Sequence, residues 1–248
     1  MDTHRASEIR TNFIHVQDKV GRAAQLAQRD PEDVRLVVVT KMHSVETIRC
    51  VVEAGAKILG ENYAEEAIAK MASLSDCINV GWHMIGHVQS RKVKMVCGKF
   101  ALIHSLDSLK LAERLNETAA KSGIIQPVLL EFNLGAEESK SGWLAGGPES
   151  WERLLPDLER VTDLDHLKIQ GLMTMPPLYG NPELTRPYFI LLRKLRDFLA
   201  LHFPFVKWQE LSMGTSADFE MAISEGATMV RVGQAILGPR QTKNVLAP

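Results

Sequence analysis

Lys41 closes the apolar run Val37-Val38-Val39-Thr40. A lysine rising from such a floor is pushed toward its neutral amine, because burial disfavours the ammonium whose ordinary pKa is about 10.4. A neutral amine attacks carbonyls, so the chemistry on offer is Schiff-base formation. The alternative is an ordinary loop lysine in solvent. Near the other end, Ser212-Met213-Gly214-Thr215-Ser216-Ala217-Asp218 leads from an apolar run into a helical pattern. Gly214 admits close backbone approach, Thr215 and Ser216 bring hydroxyls, and a helix N-terminus adds free N–H groups and a positive dipole end. Arg231-Val232-Gly233-Gln234 supplies a second glycine loop. The pair reads as a phosphate site, or as an N-cap at Ser216 with a turn glycine. Arg231 shares a strand face with Gly233, and an arginine buried there needs a carboxylate or a ligand as partner.

Two further groups are weaker signals. Gly60-Glu61-Asn62-Tyr63 places polar side chains where they could position a ligand or cap the next helix. His83 and His87 are four apart, but in a strand-and-turn segment without HExxH, which favours hydrogen-bonding roles over metal.

These residues need a scaffold, and the chain alternates short apolar runs with helical stripes. Eight strands are predicted, at 35–40, 57–60, 80–86, 100–105, 127–133, 167–173, 208–213 and 229–233. Several are near-continuously apolar, as parallel strands buried on both faces must be. Ser44 caps a predicted helix over 45–54, and Gly55 suits its C-terminal end. Another helix spans 107–122, and Tyr188, Leu191, Leu192, Leu195 and Leu199 trace a third stripe. Ile9, Phe13, Val16 and Val20 mark an extra N-terminal helix packing on the barrel wall. Gly55-Ala56 and Gly226-Ala227 each stand between a helix and a strand, a weak echo of a reused βα unit. Strict alternation implies right-handed crossovers. Eight units in 248 residues fit an α/β TIM (β/α)8 barrel, one domain over 1–248, with an extra N-terminal helix. A doubly wound sheet is the runner-up, weakened because no GxGxxG follows the first strand. The catalytic end of such a barrel gathers the strand exits, and its last two loops commonly take phosphate.

Composition narrows the function. Hydrophobic residues are 45%, charged residues 24% and the net charge is −1. No basic footprint for nucleic acid exists, and Arg91-Lys92-Val93-Lys94 reads as a solvated helix face. Cys50, Cys77 and Cys97 lack CxxC spacing and suit a reducing cytoplasm. The polar start Met1-Asp2-Thr3-His4-Arg5 gives no signal peptide, and no apolar run reaches a membrane span's ~18 residues.

A Schiff-base lysine, an inward arginine and a phosphate cradle fit one cofactor, pyridoxal 5′-phosphate (PLP). With those residues the chain resembles the pyridoxal phosphate homeostasis family. The resemblance runs from Leu36 to about Gly238, through VVVTK (37–41), GEN (60–62), WHMIGHVQSRK (82–92), EESKSG (137–142), GLMTMPP (171–177), SMGTSADFEMAI (212–223) and VRVGQAILG (230–238). It implies a fold-type III barrel like the alanine racemase N-terminal domain, with PLP covalent at Lys41. It puts Ser212, Gly214, Thr215, Ser216, Gly233 and Gln234 on the phosphate side, Asn62 beside the cofactor and Arg231 at the pyridine nitrogen. An arginine there keeps that nitrogen unprotonated, making the ring a poorer electron sink. Lys140 aligns with a lysine tied to cofactor handling in some relatives. Arg91 and Gln234 depart from the family pattern of Asn and of a small hydroxylated residue.

The resemblance implies a cytoplasmic carrier that holds and transfers PLP and maintains vitamin B6 and amino/keto acid pools. Transient PLP-dependent apo-enzymes are the expected partners, small amino acids are candidate ligands, and a monomer is expected. About ten residues follow Gly238, so a second racemase-type domain is not expected. Sequence alone assigns the racemase role to none of Tyr63, Tyr179 and Tyr188, and an efficient two-base racemase is not expected. A weak PLP-dependent amino-acid racemase is the enzymatic alternative, and a PLP-free Schiff-base aldolase on a phosphorylated sugar is a more distant one.

Overall fold

The computed structural model describes residues 3–135, 137, 140–177 and 179–239. Glu138 and Ser139 of the EESKSG segment, Met1, Asp2 and the residues after Pro239 lie outside the described residues. Its strands are β1 (Arg35–Val39), β2 (Ile58–Glu61), β3 (Gly81–Met84), β4 (Leu102–Leu106), β5 (Gln126–Asn133), β6 (Trp143–Leu144), β7 (Leu167–Thr174), β8 (Glu210–Ser212) and β9 (Met229–Val232). Helices α1 (Thr3–Leu26), α2 (Val45–Glu53), α3 (Ala64–Ser73), α4 (Val93–Val96) and α5 (Leu109–Lys121) come first. They are followed by α6 (Leu155–Thr162), α7 (Arg186–His202), α8 (Phe219–Ser224) and α9 (Gln234–Leu237). All strand pairs are parallel. β1 pairs with β2 and β9, and β4 pairs with β5, so eight strands close into a barrel. Two-residue β6 hangs on the end of β5 through Phe132↔Trp143. The barrel of the sequence reading is therefore the observed architecture.

Local sequence explains the elements. Ser44 Oγ accepts the Thr47 N–H at 3.3 Å to start α2, and Ser108 Oγ does the same for Leu111 at 3.4 Å in α5. Gly55 and Gly226, with φ of +112° and +101°, end α2 and α8 in the left-handed region that glycine tolerates. The expected N-terminal helix is α1, which buries Ile9, Phe13, Val16 and Val20. Each such side chain contributes about 1.5–3 kcal/mol when fully buried. It packs across α2, α8 and α9, so its support is the outer helix layer. The runs at 80–86 and 208–213 outlast their strands, which end at Met84 and Ser212. At Gly86 the chain turns so close to Asn62 that a Cβ would lie 2.6 Å from its Cα.

The barrel interior is layered. Val37, Leu102, Leu129, Met173 and Met229 form an apolar plug separate from the larger core between strands and helices. Two residues further along their strands, on the same face, stand Val39, His104, Glu131 and Arg231. The next step on β5 and β9 reaches Asn133 and Gly233. The plug thus gives way to polar groups toward the strand exits.

Candidate functional site

At those exits lies a cavity of about 520 Å³, bordered by Val39, Lys41, Asn62, His87, Glu131, Asn133, Lys140, Thr215, Ser216, Arg231, Gly233 and Gln234, among others. A hollow of about 630 Å³ on the outer wall, beside α1 and α8, has a rim of His15, Lys19, Glu183, Arg186 and Glu220. The smaller cavity is the better site, because convergent polar groups meet there at the end of a barrel where chemistry is housed.

Seven of the nine sequence-predicted site residues border it: Lys41, Asn62, Thr215, Ser216, Arg231, Gly233 and Gln234. Ser212 and Gly214 stand behind its wall. Ser212 is fully buried, with Oγ 2.5 Å from Arg231 Nη1 and 2.8 Å from His104 Nδ1. Gly214 has φ +92°, a Cβ there would lie 2.5 Å from Ala222 Cβ, and its carbonyl accepts the Arg231 N–H at 3.0 Å. Helix packing and the β9 backbone explain that glycine.

Arg231 is held from below, and Nη2 also donates to the Thr174 carbonyl at 2.9 Å. Burial pushes its pKa down to about 10, which leaves it a cation at neutral pH. His104 Nε2 meets His83 Nδ1 at 2.9 Å. Burial drives His104 well below the usual imidazole range and His83 to about 4, with the Arg35 charge adding to it in His83. Both rings are therefore neutral. Arginine can only donate, so the Ser212 hydroxyl turns its proton to His104 Nδ1, and His104 donates from Nε2 to His83. Ser212→Ala breaks this chain at its centre. It should lower unfolding stability by about 1–3 kcal/mol, read from the urea midpoint; an unchanged midpoint would show that the chain holds nothing.

The two loops expected to take an anion are tied together. Ser216 Oγ accepts the N–H groups of Gly233 and Ala235, each at 3.3 Å. Thr215 gives its N–H and hydroxyl to Asp218 Oδ1, at 2.6 and 2.9 Å. Asn62 borders the cavity, and among the described residues its buried Oδ1 has no hydrogen-bond partner.

Lys140 borders the cavity, pairing with Glu137 at 2.5 Å and reaching the Met175 carbonyl at 3.1 Å. Asn133 Nδ2 staples the same loop through the Glu137 carbonyl at 2.8 Å. His87 is exposed and bonds Asp107 at 2.6 Å. Arg91 is exposed and bonds Gln89. Tyr179 and Tyr188 stack and share a 2.7 Å hydroxyl contact, while Tyr63 is exposed. Glu131 is a site residue that sequence reasoning missed. Among the described residues its buried Oε2 has no partner, and burial above all, with the Asp107 charge, raises its pKa to about 7. A lone acid inside the run PVLLEFN was the available signal.

Fold and site together define a parallel α/β barrel with a polar pocket at its strand exits. Residues 14–241 match the family described as the alanine racemase N-terminal domain. Over 226 residues the chain is 42% identical to the pyridoxal phosphate homeostasis protein of Aquifex aeolicus, covering 91% of this chain and 96% of that one. The structure of PipY from Synechococcus elongatus with PLP bound is 35% identical, with a TM-score of 0.75, and covers 89% of this chain and 100% of that one. Alanine racemase of Clostridium difficile, at 16% identity and TM-score 0.66, shares the fold over 96% of this chain and 58% of its own. The chain belongs to the pyridoxal phosphate homeostasis family.

Proposed function

We propose that the strand-exit cavity binds PLP, that Lys41 anchors it covalently, and that the chain, acting as one domain, holds PLP and hands it on. The observation that carries this reading is convergence. A lysine amine, a buried arginine cation and two glycine-bearing loops border one cavity of a size suited to a small cofactor. The donor set fits the group. Lys41 offers the amine, Arg231 a fixed cation, and Thr215, Ser216, Gly233 and Gln234 the two loops that would hold the phosphate, exchanging the Thr215–Asp218 and Gly233–Ser216 bonds for it. The orphaned Asn62 oxygen is an acceptor for a ligand donor.

When bound, PLP supplies an aldehyde that condenses reversibly with amines. The protein's residues would do the rest. Ser212 and the Thr174 carbonyl fix the guanidinium of Arg231, which can only donate and so would oppose a proton on any ring nitrogen held against it. Ser212 would act through Arg231, and Gly214 would serve the phosphate side indirectly, from behind the wall, through its packing on Ala222. Retention and release, with transient PLP-dependent apo-enzymes as recipients and small amino acids as competing amines, follow from the reversible attachment. A monomer in the cytoplasm completes the reading. Among the described residues no helix is long and apolar enough to cross a membrane. Racemisation is not favoured, because none of the three tyrosines borders the cavity.

The test is a visible absorption spectrum of the purified protein incubated with PLP and then freed of unbound PLP, before and after borohydride, beside Lys41→Ala. The wild type should show a band that reduction bleaches and that Lys41→Ala lacks. A wild type that stays colourless with PLP would overturn the assignment and return a phosphorylated-sugar Schiff base to first place.

A further inference from the structure

The peptide that carries Lys41 is gripped on both sides by a buried charge cluster that the proposed function leaves unused. Before Lys41, the Thr40 carbonyl accepts from Lys70 Nζ at 2.7 Å, and Thr40 Oγ1 donates to Glu61 Oε1 at 2.6 Å. After Lys41, the Met42 N–H donates to Glu66 Oε1 at 2.7 Å. Lys70 joins the two grips, with Nζ 2.6 Å from Glu61 and 2.7 Å from Glu66. Thr40 and Glu61 are fully buried and Lys70 is 5% exposed.

Such a cluster is a poor way to make a barrel stable. Ions taken out of water lose hydration that their mutual attraction repays only in good geometry, and apolar residues of like volume often serve as well. Glu61 shows the penalty: burial raises its pKa despite Lys70 beside it, and its Oε2 has no partner. What the cluster does uniquely is hold main-chain atoms. Met42 has φ +62°, the left-handed region that a residue with a side chain avoids. The turn is closed from within by the His43 N–H to the Thr40 carbonyl at 3.2 Å, and Glu66 adds a hold from outside it at the strained residue itself.

We infer that Lys70, Glu61 and Glu66 are positioning residues that fix the Lys41 backbone and so aim its amine into the cavity. The inference rests on Lys41 being the PLP anchor. Glu61 immediately precedes Asn62, so the same cluster sets a second cavity residue. Glu66 and Lys70 belong to α3, which packs Ala64 and Ala67 into the core.

Glu66 is the residue to change, because its side chain is 28% exposed and its loss strands no fully buried charge. The full-length protein would be compared as wild type, Glu66→Ala and Glu66→Gln. The readouts are the rate at which the visible band grows on adding PLP, deuterium exchange at the Met42 amide, and thermal melting. Glu66→Ala should remain folded, exchange faster at Met42 and take up PLP about tenfold more slowly, the scale of a misaimed reacting group. Glu66→Gln keeps an oxygen for the Met42 N–H and should stay within about threefold of wild type. Equal uptake by Glu66→Ala and wild type would overturn the inference, as would Gln failing as badly as Ala. Lys70→Met, if it folds, should resemble Glu66→Ala in uptake, and uptake at the wild-type rate would also count against it. Failure of the underlying reading looks different: wild type itself would form no band, or Lys41→Ala would keep one.

Discussion

Gly171→Ala is expected to leave little folded protein. A Cβ at this position would stand 1.9 Å from the Glu210 carbonyl oxygen and 2.7 Å from its nitrogen, and φ is +155°. The clash is with the backbone of the neighbouring strand, which cannot rotate aside as a side chain can. Gly171 pairs with Glu210 on β8 and sits where the β5–β7 register shifts between Val128 and Leu129. Relief would mean parting β7 from β8 and opening the barrel. The cost should exceed about 4 kcal/mol, a large fraction of a domain's whole stability. Gly180, where a Cβ would meet nothing within 4 Å, is the control, and its change to Ala should stay within about 0.5 kcal/mol. Urea melts of the two variants check this. A Gly171→Ala midpoint close to wild type would mean that the strands do not approach so closely.

Glu131→Gln should stabilise the ligand-free protein, and only above acid pH. The carboxyl ordinarily titrates near 4.5 and in the fold near 7. Between those values the folded state keeps a proton that the unfolded chain has lost, so stability is full below about 4.5 and declines as pH rises through 7. The decline should approach 3 kcal/mol, to order of magnitude. Glutamine never ionises and escapes it. Paired urea titrations at pH 5 and pH 8 should show a small difference at the lower value and a gain of about 2–3 kcal/mol at the higher. The same gain at both would place its cause in packing. In the proposed holoprotein, Glu131 borders the same cavity as Lys41 and Arg231, so its ionisation also sets the charge that a bound phosphate ester meets.

The barrel was legible because its strands are apolar on both faces and its helices carry local signals. VVVT, FALIHS and PVLLEFN each gave a strand within two residues, and Ser44 with Gly55 bounded α2 as expected. Boundaries slipped at 80–86 and 208–213, where apolar character outlasts the ladder and pairing with a short neighbour decides the end. The expectation that α1 packs on the barrel wall gave way to packing on helices, a choice made by tertiary contacts that a stripe alone does not encode. Of the site, Lys41, Arg231 and both glycine loops were visible because they sit at strand exits. Ser212 and Gly214 came with the right loop, but which residue of a loop faces inward depends on a turn that spacing does not fix. The Glu61–Lys70 pair and the His83–His104–Ser212 chain were hidden. Each joins residues from separate strands or helices, and only the closed barrel makes them neighbours.

The apolar plug of Val37, Leu102, Leu129, Met173 and Met229 has a consequence for traffic. It stoppers the barrel axis beneath the cavity, so loading and unloading share one doorway at the strand exits. On the proposed function, an arriving PLP and a departing one would take turns there, and an acceptor protein docked over the doorway would also shut out the surrounding solution. Delivery would then work by decanting at the rim, with no flow-through.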